Sequence, residues 1–139
     1  MKVQDIMTKD PSCVTPDATV REAAQVMGRE DVGIVPVIAG ESDKKLLGVV
    51  TDRDIALRVV AEGREPDSTK VAEIASQNLA TVDPQQDIDE ALRLMAEHQV
   101  RRLPVVEEDG RLVGILAQAD VARHLDASRT GEVVEQISE

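Results

Sequence analysis

Leu46-Leu47-Gly48-Val49-Val50-Thr51-Asp52-Arg53-Asp54 decides how the rest of the chain is read. The apolar run Leu46 to Val50, broken only by Gly48, is a strand, and Ile55, Ala56, Leu57, Val59 and Val60 continue it as a helix. A strand that runs directly into a helix leaves the first backbone N–H groups of the helix without internal partners, which suits anionic or hydroxyl-rich ligands. Thr51 and Asp54 place a hydroxyl and a carboxylate at that junction. The same pair also fits a capping box, in which threonine accepts from the N3 amide and the acidic side chain reaches back. Both readings of Thr51 and Asp54 stand at this point.

A second copy of the pattern lies downstream, Leu112-Val113-Gly114-Ile115-Leu116-Ala117-Gln118-Ala119-Asp120, and it belongs to a longer internal repeat. Val3 to Ile38 aligns with Val71 to Val106 without a gap. Val3/Val71, Ile6/Ile74, Val14/Val82, Pro16/Pro84, Glu22/Glu90, Ala23/Ala91, Met27/Met95, Val32/Val100, Pro36/Pro104 and Val37/Val105 are identical. Beyond them Gly48 pairs with Gly114 and Asp54 with Asp120, the first copy having the longer turn by two residues.

Local signals agree within each copy. Val3 to Met7 reads as a short helical lead-in, and Cys13 to Thr15 as a short strand ended by Pro16. Thr19 and Glu22 form a capping box for a helix from Val20 to about Glu30, with Val20, Ala23, Ala24 and Met27 on its apolar face. Asp87 as cap, Glu90 at N3 and Ile88, Ala91, Leu92 and Met95 predict the same helix in the second copy. Strands are expected over Gly33 to Ala39 and Leu46 to Val50, and again over Leu103 to Val106 and Leu112 to Leu116, the latter pair joined through Asp109 and Gly110. A last helix follows each pair, from Asp52 to about Ala61 and from Gln118 to about Leu125. The unit is β-α-β-β-α. The reading gives a first repeat over residues 1–63, a polar linker at 64–70, a second repeat over 71–125 and a polar tail at 126–139, with one helical turn around Val133 to Ile137.

Composition limits the chemistry. With no Phe, Tyr or Trp the core is built from Val, Ile, Leu, Met and Ala, and any bound base lies between aliphatic groups and backbone. The net charge of −11 disfavours a general affinity for nucleic acid or an anionic membrane, though local basic residues can still hold a small anion. Cys13 is the single cysteine, so no intrachain disulfide forms, and with no signal-like or membrane-length apolar run a cytoplasmic location is expected. No Ser/His/Asp set, Cys/His motif, P-loop or paired-metal carboxylate cluster is present, so no catalytic residues are assigned and no enzyme is expected. Cys13, His98 and His124 show no metal-ligand spacing, and no metal site is assigned.

Two tandem β-α-β-β-α units, each with a proline in its middle strand and an acidic residue at the start of its last helix, resemble a pair of cystathionine-β-synthase (CBS) domains, the Bateman module. The resemblance covers about residues 1–125. Glu97-His98-Gln99-Val100-Arg101-Arg102-Leu103-Pro104 and Ala119-Asp120-Val121-Ala122-Arg123-His124-Leu125 look most like stand-alone bacterial CBS-pair proteins of the hypoxic-response type. The resemblance implies an α/β fold of the α+β type. Its two repeats pack by pseudo-twofold symmetry and leave clefts for adenine nucleotides or adenosyl ligands, and two modules commonly associate as a homodimer. It implies AMP, ADP or ATP as a regulatory ligand. Carried over, Asp54 grips the ribose diol and Thr51 contacts ribose or phosphate, with Arg53 in the same motif. Gly33, Ile34, Val35 and Pro36 lie beside the base and Val14, Thr15 and Pro16 over its edge. Arg101 and Arg102 reach phosphates of the nucleotide held by the first copy, and Asp120 is the second copy's carboxylate.

The second copy departs from this pattern, since Ala117 replaces the hydroxyl residue and Arg101 the glycine. One competent site per chain, in the first copy, is expected. Two other classes of function compete: a structural or partner-binding dimer without ligand, and a metal- or redox-responsive stress protein acting through Cys13 and the histidines.

Overall fold

The computed structural model describes residues 1–77 and 79–126. In chain order its elements are β1 (Thr8–Lys9), α1 (Val20–Glu30), β2 (Ile34–Ile38), β3 (Leu46–Thr51), α2 (Asp52–Ile55), α3 (Ile88–His98), β4 (Arg102–Val106), β5 (Leu112–Ala117) and α4 (118–126). Single 3-10 turns cover Val3–Asp5 and Val71–Glu73. The helical turn expected around Val133 to Ile137 lies outside the described residues. The chain forms two compact units. One contains Asp10–Leu79 and Val106–Leu112; the other contains Met1–Lys9, Ala80–Val105 and the described residues from Val113 onward. They are called here the repeat-1 and repeat-2 units.

In the repeat-1 unit α1 starts at the expected capping box. Glu22 N–H donates to Thr19 Oγ1 at 3.1 Å, and Thr19 N–H donates to Glu22 Oε2 at 3.1 Å. The helix ends at Asp31, whose φ of 53° is left-handed, and Val32 N–H closes the end onto the Met27 carbonyl at 3.1 Å. Val20, Ala23 and Val26 form its buried face; Ala24, expected there, is exposed because the stripe is narrow and centred on Ala23. Strand β2 pairs antiparallel with β3, setting Ile34 opposite Thr51 and Val37 opposite Gly48. On the other edge of β2 stands Val14, bridged in parallel to Val37. The strand expected over Cys13 to Thr15 is reduced to that one bridge, since the Thr15 carbonyl already turns to accept from Ala18 N–H at 3.0 Å. Pro36 fits a strand with neighbours on both sides because only its carbonyl is required, by Val14 N–H at 3.0 Å.

Helix α2 makes one α turn and then widens into a π turn over Ala56–Val60, with Ala61 N–H donating to the Ala56 carbonyl at 2.9 Å. The single α-helix expected from Asp52 to Ala61 is corrected accordingly. The wide turn delivers Val59, 0% exposed, to a core shared with Val20, Ala23, Val37 and Val50. Val71 and Ile74, the lead-in of the second repeat, complete that core.

The repeat-2 unit repeats the plan. Ile88, Ala91 and Met95 are the buried face of α3, which ends at Gln99 with φ 54°. Asp87 stands at the N-cap with no side-chain hydrogen bond to the helix N–H groups, and the expected capping box with Glu90 does not form. The Asp87 carboxylate instead meets the N-terminal ammonium of Met1 at 3.3 Å, and Glu90 pairs with Arg93. Strands are ordered β1-β5-β4, and Val82 bridges β4 at Val105 as Val14 bridges β2. Val3 enters this core beside Val82, Ile88 and Leu103.

Each lead-in therefore packs in the unit built on the other copy, and a glycine admits it. A Cβ on Gly48 would lie 2.7 Å from the Ser76 carbonyl oxygen, and one on Gly114 would lie 2.8 Å from the Thr8 carbonyl oxygen. Val49 and Ser76 exchange both backbone hydrogen bonds, at 3.0 and 2.9 Å, and Thr8 pairs with Ile115 in β1 and β5.

Candidate functional site

The repeat-1 unit gathers the residues singled out at the strand-to-helix junction. Asp52 N–H donates to the Gly33 carbonyl at 3.0 Å, so the residue before β2 is held against the start of α2. Val14, β2 and β3 are then successive neighbours, with Val14 to Pro16 on one side of β2 and Thr51 to Asp54 at the end of the other. Gly33 is outside the left-handed region, the glycines with positive φ among the described residues being Gly63 and Gly110. Thr15 is exposed, Val14 and Pro16 are half-buried, and Ile34, Val35 and Pro36 are buried. Val35, 0% exposed, contributes backbone rather than a side chain to any ligand.

Thr51 and Asp54 form a complete capping box. Asp54 N–H donates to Thr51 Oγ1 at 3.1 Å, and Thr51 N–H donates to Asp54 Oδ2 at 3.0 Å. The cap and a ligand role draw on different atoms. Oδ2 is occupied by the cap, whereas Oδ1 is faced by Arg58 Nε at 3.9 Å and keeps lone pairs to offer. The Asp54 side chain is 13% exposed, so a hydrogen bond made there competes little with water. Arg53 is exposed, and its N–H donates to Asp52 Oδ1 at 2.8 Å.

Arg58 was not singled out from the sequence, yet it is the side chain that touches Asp54. The signal was its place four residues after Asp54 on a helix. Arg101, Arg102 and Asp120 belong to the repeat-2 unit, and both arginines are exposed. There Gln118 N–H donates to the Arg101 carbonyl at 2.8 Å, the same bond that ties Asp52 to Gly33, so a long cationic side chain stands where the first copy has none. Ala117 offers no hydroxyl, and the Asp120 carboxylate is paired with Arg123.

Among the described residues no group of three or more His, Cys, Asp or Glu side chains is placed to hold a metal ion. The Cys13 thiol donates to the Pro11 carbonyl at 3.1 Å, and burial pushes its pKa up, which favours the unreactive thiol over the thiolate. No helix among the described residues is long and apolar enough to cross a membrane.

The CBS-domain family model matches residues 3–61 and again 71–127, which is both copies of the repeat. The chain belongs to the CBS-domain family. Its tandem CBS domains are similar to hypoxic response protein 1 of Mycobacterium tuberculosis, with 44% identity over 122 residues, 88% of this chain and 83% of that protein. A crystal structure of hypoxic response protein I with two coordinated zinc ions superposes with a TM-score of 0.80 at 42% identity, covering 89% of this chain and 98% of that one. The CBS-domain pair of protein MJ0100, crystallised with 5′-methylthioadenosine and S-adenosyl-L-methionine, gives a TM-score of 0.81 at 26% identity over 92% of this chain and 98% of that one. The CBS-pair fold follows from these matches together with the two β-α-β-β-α units.

Proposed function

We propose that this CBS pair is a regulatory, non-catalytic module that binds an adenine nucleotide or adenosyl ligand at the repeat-1 site. The observation that carries the reading is Asp54 Oδ1, which the cap leaves without a hydrogen bond while Thr51 N–H holds Oδ2 and Asp52 N–H ties Gly33 to the same strand-to-helix junction. An ionised carboxylate oxygen accepts from ribose hydroxyls, and each such charge-assisted bond contributes about 1.5–3 kcal/mol. The adenosyl ligands of the MJ0100 pair support the ligand class. AMP, ADP and ATP are the specific ligands assigned. Leu57 and Val60, 51% and 72% exposed on the turn after α2, support self-association as a homodimer, and we assign the protein to the cytoplasm. A change in packing or association on ligand binding is the output.

The zinc of the hypoxic response protein structure motivates a second reading, a metal-responsive stress protein. Among the described residues no group of three or more His, Cys, Asp or Glu side chains supports it.

The chain lacks Trp and Tyr, so an adenine band stands nearly alone in its near-ultraviolet spectrum. Titration of AMP, ADP and ATP into the parent and Asp54→Glu tests the reading. Glutamate suits N3 of a capping box, so the fold persists, while its longer arm misplaces the acceptor oxygen. Binding by the parent and at least about tenfold weaker binding by Asp54→Glu, a loss of 1.4 kcal/mol, is expected. Equal affinities would show that Asp54 is a cap alone.

A further inference from the structure

We propose that Arg58 is a positioning residue for ribose recognition, holding Asp54 Oδ1 aimed at the sugar. This rests on the proposed ligand class. Three contacts carry it. Arg58 NH1 donates to the Ile74 carbonyl at 3.0 Å, and Ile74 is 1% exposed, so the guanidinium is anchored to a fixed point of the core. Its Nε edge then faces Asp54 Oδ1 at 3.9 Å. The other carboxylate oxygen, Oδ2, is already taken by Thr51 N–H at 3.0 Å. The carboxylate is thus fixed from two sides. Thr51 sets one oxygen, and the arginine sets the rotation that leaves the second oxygen for a ligand.

The geometry does not match a phosphate-binding role. A phosphate arm directs its N–H groups away from the protein, whereas Arg58 turns NH1 to a core carbonyl and Nε toward the Asp54 carboxylate. Arginine rather than lysine suits the task, since its planar fork bonds the carbonyl through one nitrogen while presenting another to the carboxylate. The consequence is a specificity that follows the sugar. Arg58 affects ligands with a ribose diol and is indifferent to the number of phosphates.

Adenosine, AMP and 2′,3′-dideoxyadenosine titrated into the parent, Arg58→Gln and Arg58→Lys test this, with melting curves confirming that each variant is folded. Arg58→Gln is expected to weaken adenosine and AMP by the same factor, about five- to tenfold, the scale of one partly exposed charge-assisted contact. The dideoxy compound, already weak, is expected to bind the parent and the variant equally. Arg58→Lys is expected to recover part of the loss, because an ammonium keeps the charge beside Asp54 without the second anchor. Loss for AMP alone would make Arg58 a phosphate ligand, and an equal loss for the dideoxy compound would make it a structural residue; either overturns the proposal. So does unchanged adenosine binding in a folded Arg58→Gln. A parent that binds neither adenosine nor AMP overturns the ligand class itself, a result distinct from these.

Discussion

At the residue scale the side chains of the repeat-1 unit work through local backbone contacts. Glu73 accepts from Lys70 N–H at 2.7 Å and pairs with Arg64, and so fixes the chain where it enters the Val71–Glu73 turn. The Lys70 backbone bond, followed by the Arg64 contact, lowers the pKa of Glu73 below the usual carboxylate range. A carboxyl with a lower pKa in the folded than in the unfolded chain adds stability above the unfolded value, roughly 4.3 for glutamate, and loses it as the pH falls through the folded value. Glu73→Gln should therefore lower the urea midpoint at pH 7, and the gap from the parent should close as the pH falls below the unfolded value and through the folded one. A gap that stays constant with pH would show that the charge of Glu73 is irrelevant. How legible such residues are in sequence depends on what holds them. Thr19 with Glu22 and Thr51 with Asp54 are legible because a cap is made within four residues. Asp87 with Glu90 has the same spacing and forms no cap, because Met1 and Arg93 take the two carboxylates and neither contact is written in the motif.

At the scale of elements the lead-ins depend on two glycines. Gly48 in β3 and Gly114 in β5 let a backbone carbonyl approach closer than any Cβ would permit. Gly48→Ala requires the Val49–Ser76 pairing to open or shift, at a cost of about 1–3 kcal/mol, the range for overpacking. Gly114→Ala should cost a similar amount through Thr8. Thermal melts of the single variants measure this, and a melting temperature within a degree of the parent's for both would show that the lead-ins are not tightly seated. The strands and first helices were legible because period and caps occur twice. Which core receives which lead-in was not. Val3 and Val71 are identical residues in equivalent positions, so no local pattern distinguishes the two destinations, and the choice is made by non-local pairing of Ser76 with Val49 and Thr8 with Ile115. The π turn was equally hidden, since Ala56 to Val60 is apolar and helix-compatible at either pitch.

For the whole molecule, duplication gave two copies of one unit, and divergence at a few positions leaves them chemically unequal. The first copy keeps Gly33, Thr51 and a carboxylate oxygen of Asp54 with lone pairs to offer. The second substitutes Arg101 and Ala117 and pairs Asp120 with Arg123. That asymmetry was legible from the two substitutions alone, while the state of each carboxylate needed the structure. The proposed function puts one adenine-nucleotide site on each chain, built on Asp54. Isothermal titration of AMP into the parent, Asp54→Asn and Asp120→Asn tests it most directly. One nucleotide per chain in the parent, loss of binding in Asp54→Asn and unchanged affinity and stoichiometry in Asp120→Asn are expected. Two nucleotides per chain, or binding that survives Asp54→Asn and fails in Asp120→Asn, would contradict it.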